Sequence, residues 1–284
     1  MRRHLCAITT LAIALLKAQG ATEVLAEIPF EFREGLLWVK VTVAESAQPL
    51  NFLLDTGAGA SAINRRTADR LALPLGREVN VRGVETTLSG RWLKGIRATA
   101  GTVSLPGDYV AMDLTQLSHS CERPVDGLLG ADFFRGRAVQ IDFRAQTVRI
   151  LKPDQPPLLA ETLPLEMRPC GMRVPITVND HKQQWVRLDT GCASPLQWVT
   201  SHVRSLECKP KVAIGLSELS IPQTETTVEI GFHKFDNVPT GLHKNPIFAG
   251  EAGLLGNGLL SRFSRVTVDA KARRLILEPQ PVAP

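Results

Sequence analysis

Residues 53–61 read LLDTGAGAS, and residues 187–193 read RLDTGCA. Each stretch puts a carboxylate at the end of a strand-like run and follows it with threonine, glycine and small residues. A lone carboxylate in that place is ordinarily a turn residue or a helix cap. Two copies, at Asp55 and Asp189, require one explanation that covers both.

The surroundings repeat as well. Residues 125–150 read VDGLLGADFFRGRAVQIDFRAQTVRI, and residues 251–277 read EAGLLGNGLLSRFSRVTVDAKARRLIL. Gly127 matches Gly253, Gly130 matches Gly256, and Asp142 matches Asp269 with one residue inserted. Each Asp-Thr-Gly precedes its Gly-Leu-Leu-Gly, so the chain is a duplication of units of roughly 125 residues. The stretch LKPDQPPLLAETLP (151–164) loses periodicity and gains prolines, which reads as a linker. The expected organisation is a signal segment over 1–26, an N-terminal lobe over 27–152, a linker over 153–163 and a C-terminal lobe over 164–284.

Alternating and short apolar runs predict strands at 36–43, 138–143 and 147–151, and again at 174–178, 184–189, 226–230 and 265–269. Short helices are expected at 64–73 and after each Gly-Leu-Leu-Gly. The fold class is all-β, mostly strands with a few short helices, in two lobes.

A pseudo-twofold axis between such lobes brings Asp55 and Asp189 face to face. Two carboxyls about 3 Å apart cannot both ionise easily, so they share a proton. Such a pair deprotonates a water with one oxygen and protonates a carbonyl with another, without a metal or a covalent intermediate. Gly57 and Gly191 permit a tight turn and let backbone N–H groups approach the carboxylates. Thr56 and Thr190 are placed to hydrogen-bond across the lobe interface, with Leu54 and Leu188 anchoring the loops.

On these motifs the chain resembles a pepsin/retropepsin-type aspartic protease, in a single-chain, two-lobed bacterial retropepsin-like form. Asp-Thr-Gly followed downstream by two apolar residues and glycine is that superfamily's signature, and both halves carry both parts over roughly residues 28–278. The resemblance implies that Leu128-Leu129-Gly130 and Leu254-Leu255-Gly256 cross behind the active loops as scaffold. It implies a flap hairpin around 81–95, with Trp92 as a candidate to close over substrate. A second flap falls at roughly 211–226, and Trp198 is a second candidate cleft residue. Many pepsin-like enzymes carry Ser or Thr three residues after the catalytic Asp, where this chain has Ala58 and Cys192. Losing donors to the charged carboxyls raises their pKa values and predicts a milder optimum.

The remaining composition narrows the function. A net charge of +5 with scattered Lys and Arg predicts no nucleic-acid surface. Arg2, Arg3 and His4 precede the apolar run LCAITTLAIALL (5–16), which has signal-peptide length and is too short to span a bilayer. Small residues suit cleavage before residue 21 or before residue 27, and the segment left is too short for a sizeable inhibitory propeptide. Cys6 leaves with the signal, and Cys121, Cys170, Cys192 and Cys208 allow three pairings. No Cys or His spacing suits a metal, and no cofactor is implied. The expected function is an exported, periplasmic or secreted, monomeric aspartic endopeptidase. It cleaves polypeptides through Asp55 and Asp189 at acidic to mildly acidic pH, without stable membrane insertion. The alternative is a catalytically silent, exported peptide-binding module with the same fold.

Overall fold

Alternating apolar and polar residues turn most of the chain into short strands. In the first strand Ile28 and Phe30 are buried while Glu27, Pro29 and Glu31 face solvent, the period-two pattern of a half-buried strand. The computed structural model describes residues 22–84, 86–152, 160–199, 209–213 and 219–281. It is mostly β, with 53% strand and 8% helix, as the short apolar runs predict.

The first half contains β1 (Val24–Arg33), β2 (Leu36–Val43), β3 (Leu50–Leu54), β4 (Ala62–Asn64), α1 (Arg65–Arg70), β5 (Glu78–Gly83) and β6 (Thr86–Leu93). It continues with β7 (Ala98–Ala100), β8 (Val103–Ser104), β9 (Tyr109–Met112), α2 (Thr115–His119), β10 (Gly127–Leu129), a 3-10 turn at Ala131–Phe134, β11 (Ala138–Asp142) and β12 (Thr147–Leu151). The second half contains β13 (Glu161–Pro164), β14 (Glu166–Arg168), β15 (Gly171–Val178), β16 (Gln184–Leu188), β17 (Leu196–Val199) and β18 (Lys209–Ala213). It ends with β19 (Leu219–Ile230), β20 (His233–His243), β21 (Gly253–Leu255), α3 (Asn257–Leu260), β22 (Phe263–Asp269) and β23 (Arg274–Pro279). Helix α1 starts where the Asn64 side chain accepts from the Arg66 N–H at 3.2 Å, satisfying one of the donors a helix start leaves open.

Each half is built around its Gly-Leu-Leu strand. β10 lies parallel to β3, the strand that ends before Asp55, and antiparallel to β4. β21 lies parallel to β16, which ends before Asp189, and antiparallel to β17. The halves join through strands in the order β13-β23-β22-β11-β12-β1. At its centre β11 and β22 run antiparallel, with Gln140 opposite Thr267. In the second half β15 also pairs with β19, closing a six-strand barrel. One apolar core crosses the join and holds Leu54, Leu188, Val139 and Val266 together. Full burial of each such side chain stabilises the fold by about 1.5–3 kcal/mol.

Two strands begin inside segments that the sequence assigned to the signal and the linker. β1 begins at Val24, ahead of the boundary expected at residue 26, because Val24 and Ala26 pair with Leu151 and Ile150. Residues 1–21 of the expected signal segment and 153–159 of the expected linker lie outside the described residues. The end of that linker, from Glu161, is strand paired with β23. Cys121 and Cys170 are free thiols, so none of the three complete pairings is formed, and Cys208 lies outside the described residues.

Candidate active site

Asp55 and Asp189 leave the ends of β3 and β16 at the floor of one cleft of ≈ 1360 Å³. Each is held by the Gly-Leu-Leu strand of its own half. The Asp55 N–H donates to Leu129 O at 2.8 Å, and the Asp189 N–H donates to Leu255 O at 2.9 Å. The loops then close on the segments after those strands, Ala131 N–H to Ala58 O at 2.7 Å and Asn257 N–H to Cys192 O at 2.8 Å.

The threonines tie the two loops together. Thr56 N–H donates to Thr190 Oγ1 and Thr190 N–H donates to Thr56 Oγ1, both at 3.0 Å. Each hydroxyl in turn donates to the opposite half, Thr56 to Leu188 O at 2.8 Å and Thr190 to Leu54 O at 2.7 Å. All four bonds are buried, so each would leave a costly unpaired group if broken.

The glycines are required by close approach. A Cβ on Gly57 would lie 2.4 Å from the Asp189 carboxyl, and one on Gly191 would lie 2.5 Å from the Asp55 carboxyl. Neither glycine has a positive φ, so crowding rather than left-handed backbone explains the residue type. Their N–H groups donate to Asp55 Oδ1 and Asp189 Oδ1, each at 2.9 Å.

The two carboxyls hydrogen-bond each other and are unequal. Asp55 Oδ1 also accepts from the Ala58 N–H at 3.0 Å, whereas the Cys192 N–H donates to the backbone oxygen of Asp189. Burial pushes both carboxyls above the usual range. For Asp189 burial and then the Asp55 charge raise it to about 8. Two N–H donors favour charge on Asp55, where Asp189 Oδ1 accepts one. Cys192 Sγ turns to Ser194 O at 3.8 Å, and Ala58 has no side-chain donor.

The hairpin of β5 and β6 stands over the first-half side of the cleft. It spans 78–93 rather than 81–95. Val79, Val81 and Trp92 line the cleft from it. Trp198 is instead 2% exposed in the apolar core. Its neighbour Gln197 faces the cleft, and alternation along β17 turns Trp198 the other way; this corrects its expected place in the cleft. Of the second expected flap, β18 and β19 form an antiparallel pair, and 214–218 lie outside the described residues.

Residues 39–133 match the aspartyl protease family. This aspartyl protease domain is of the retropepsin-like kind and includes Asp55, Thr56, Gly57 and Gly130. The match ends before the second half, so Asp189 is tied to the protease domain by the geometry above. A comparison with curated proteins found no match. The match over residues 39–133 suggests a hydrolase of the kind that acts on polypeptides.

Four residues of the site were not singled out in the sequence. Asn257 Nδ2 donates to Gly35 O in the first half and to Thr190 O, both at 2.7 Å. Asp132 accepts from Ser61 N–H at 2.9 Å and Ser61 Oγ at 2.8 Å, stiffening the strand after the first loop. Arg187 and Glu251 form a buried ion pair beside the carboxyls, with Nε 2.7 Å from Oε2. The only signal for Arg187 was an arginine two residues before the second aspartate, where the first copy has Leu53.

Proposed function

We propose that the chain is an aspartic endopeptidase made of two pseudo-twofold-related acid-protease lobes. The observation that carries this reading is the reciprocal packing of each loop's glycine against the other loop's carboxyl. That packing supports a dyad contributed equally by the two halves. Asp55, as the carboxylate, takes a proton from water while Asp189, as the acid, protonates the scissile carbonyl. Thr56, Gly57, Thr190 and Gly191 hold the two groups in register. Trp92 and the valines of the β5–β6 hairpin cover the first-half side of an extended peptide.

The working pH follows from the same contacts. The pair is active while it holds one proton. Both carboxyls are raised, chiefly by burial, and Ala58 has no side-chain donor to offset it. A mildly acidic optimum follows. We further read the chain as monomeric, since one chain supplies both aspartates, and as exported, on the basic start and apolar run of residues 2–16. Of the two expected mature starts, residue 21 keeps β1 whole. Among the described residues no helix is long and apolar enough to cross a membrane.

Cleavage of a mixed peptide library from about pH 3 to pH 8 tests the reading. Asp55→Asn and Asp189→Asn are each expected to cut kcat by about 10²–10⁴-fold while the protein stays folded. A wild-type protein that binds peptides but cuts none would identify the silent binding module instead.

A further inference from the structure

Arg187 spends its guanidinium in an unusual place. Its Nε and Nη2 donate to the two oxygens of Glu251 at 2.7 and 2.9 Å. Its Nη1 donates to Cys170 O at 2.9 Å and, across the join, to Gly57 O at 2.8 Å. Gly57 belongs to the first dyad loop, so one side chain of the second half grips the loop of the first. The Phe248 ring covers the guanidinium at 3.5 Å from its centroid, the geometry of a desolvated cation–π contact. Gly171 clears the space, since a Cβ there would lie 3.1 Å from Arg187 Cζ.

The matching positions of the first half carry no such device. Sheet pairing puts Arg187 opposite Leu254 and Leu53 opposite Leu128, so Leu53 is the matching position. Val125 matches Glu251, each standing two residues before its Gly-Leu-Leu. Leu53 and Val125 are buried together in an apolar cluster. A fold that accepts Leu and Val here does not require Arg and Glu for its backbone.

We infer that Arg187 is a positioning residue of the dyad, tying the first dyad loop to the second half and holding a fixed cation beside both carboxyls. The kinetic part rests on the endopeptidase reading; the titration part does not. Glu251 pairs with Arg187, and Asp55 and Asp189 feel its charge, which favours their ionised forms. Arg173 is its cross-strand neighbour on β15 and is itself paired with Glu166. Removing the cation therefore disfavours the charged carboxyls and moves the one-proton window of the dyad to higher pH.

The test uses the full mature chain and two variants. The double variant Arg187→Leu with Glu251→Val copies the first half and leaves no buried charge unpaired. Arg187→Lys keeps a charge and loses the planar fork. The pH dependence of kcat/KM is measured, and the carboxyls are titrated directly by 13C NMR in protein labelled at aspartate Cγ, which needs no turnover. In the double variant both limbs of the profile and both titrations are expected to rise by about one pH unit, a tenfold change in the protonation equilibrium. Arg187→Lys is expected to keep the wild-type titration and lose about tenfold in kcat, because the Gly57 loop is no longer gripped. Wild-type limbs in the double variant overturn the inference even if kcat falls, since a merely structural residue would do that. If the double variant does not fold, Arg187→Lys decides: a titration moved by a full unit, or an unchanged kcat, overturns it. Asp55→Asn and Asp189→Asn run alongside. If they still cut peptides, the dyad reading fails; if they are silent while the double variant titrates like wild type, only the role of Arg187 fails.

Discussion

In the first half the cross-strand row Trp38, Leu53, Leu128, Ala62, Val110 is apolar. The same row in the second half is Arg173, Arg187, Leu254, Gln197, Gly241. Two residues further along, Met112 stands where the second half has His243, and His243 Nε2 is 2.9 Å from Gln197 Oε1. The backbone ladder is shared because its hydrogen bonds use no side chains. Side chains stayed alike at the threonines and glycines, where each half touches the other's dyad loop, and in the Gly-Leu-Leu strands behind those loops. In the rest of this row the first half solved burial with hydrocarbon, and the second with charged and polar side chains that pair with one another. The lesson is that a duplicated frame constrains the dyad loops and the strands that hold them far more than the side chains beside them.

That comparison is open to breakage at several depths. The largest effects belong on the axis. Gly57→Ala and Gly191→Ala each push a Cβ into the opposite carboxyl, so both are expected to lose about 10²-fold or more in kcat/KM. Unequal losses in steady-state kinetics would show that the halves do not share the dyad evenly. Next comes the charge layer. Glu251→Gln leaves Arg187 buried without its counter-charge, an expected cost of about 3–5 kcal/mol in urea unfolding. Val125→Ala, its first-half counterpart, only trims an apolar side chain and should cost less.

The threonines should then give nearly equal losses. Thr56→Val and Thr190→Val each remove two buried cross-half hydrogen bonds, an expected cost of about 2–4 kcal/mol apiece. A difference of more than about 1 kcal/mol between their unfolding free energies in urea would break the symmetry argument.

The smallest effect lies in the sheet joining the halves, where pH separates two kinds of aspartate. Burial pushes Asp142 up, but the Ala145 N–H, Arg265 and Arg149 outweigh it and hold it below the usual range. Its contribution is present above the unfolded carboxyl value near 4 and is lost as pH falls through the folded one. Asp142→Asn should therefore cost about 1–3 kcal/mol at neutral pH and little in strong acid. Asp189, raised, has the opposite sign. Its contribution is full below the unfolded value and is lost as pH rises through about 8. Asp189→Asn should flatten that loss in urea titrations run across the same range.

Much of this was readable before any coordinates. Asp-Thr-Gly and Gly-Leu-Leu-Gly are local signals, and their repetition in order pointed to two β units and to Asp55 with Asp189. A short helix was expected over 64–73, and α1 falls within it, capped by the Asn64 side chain. The β1 start at Val24 was hidden because small residues near 24–26 suit cleavage as well as strand, and only pairing with β12 separates them. Trp198 was misplaced because a four-residue strand carries too little alternation to say which face is inward.

Residue types and their order were enough to establish the duplication, the β class and the candidate dyad, since these rest on contacts within a few residues or on one repeated pattern. The partners across the axis were decided by folding alone. Arg187 meets Glu251 and Gly57, and Asn257 meets Gly35, only through sheet register. Local sequence holds no information about which distant carbonyl a buried donor will reach, because the desolvation cost that selects the partner arises only once the two halves have closed.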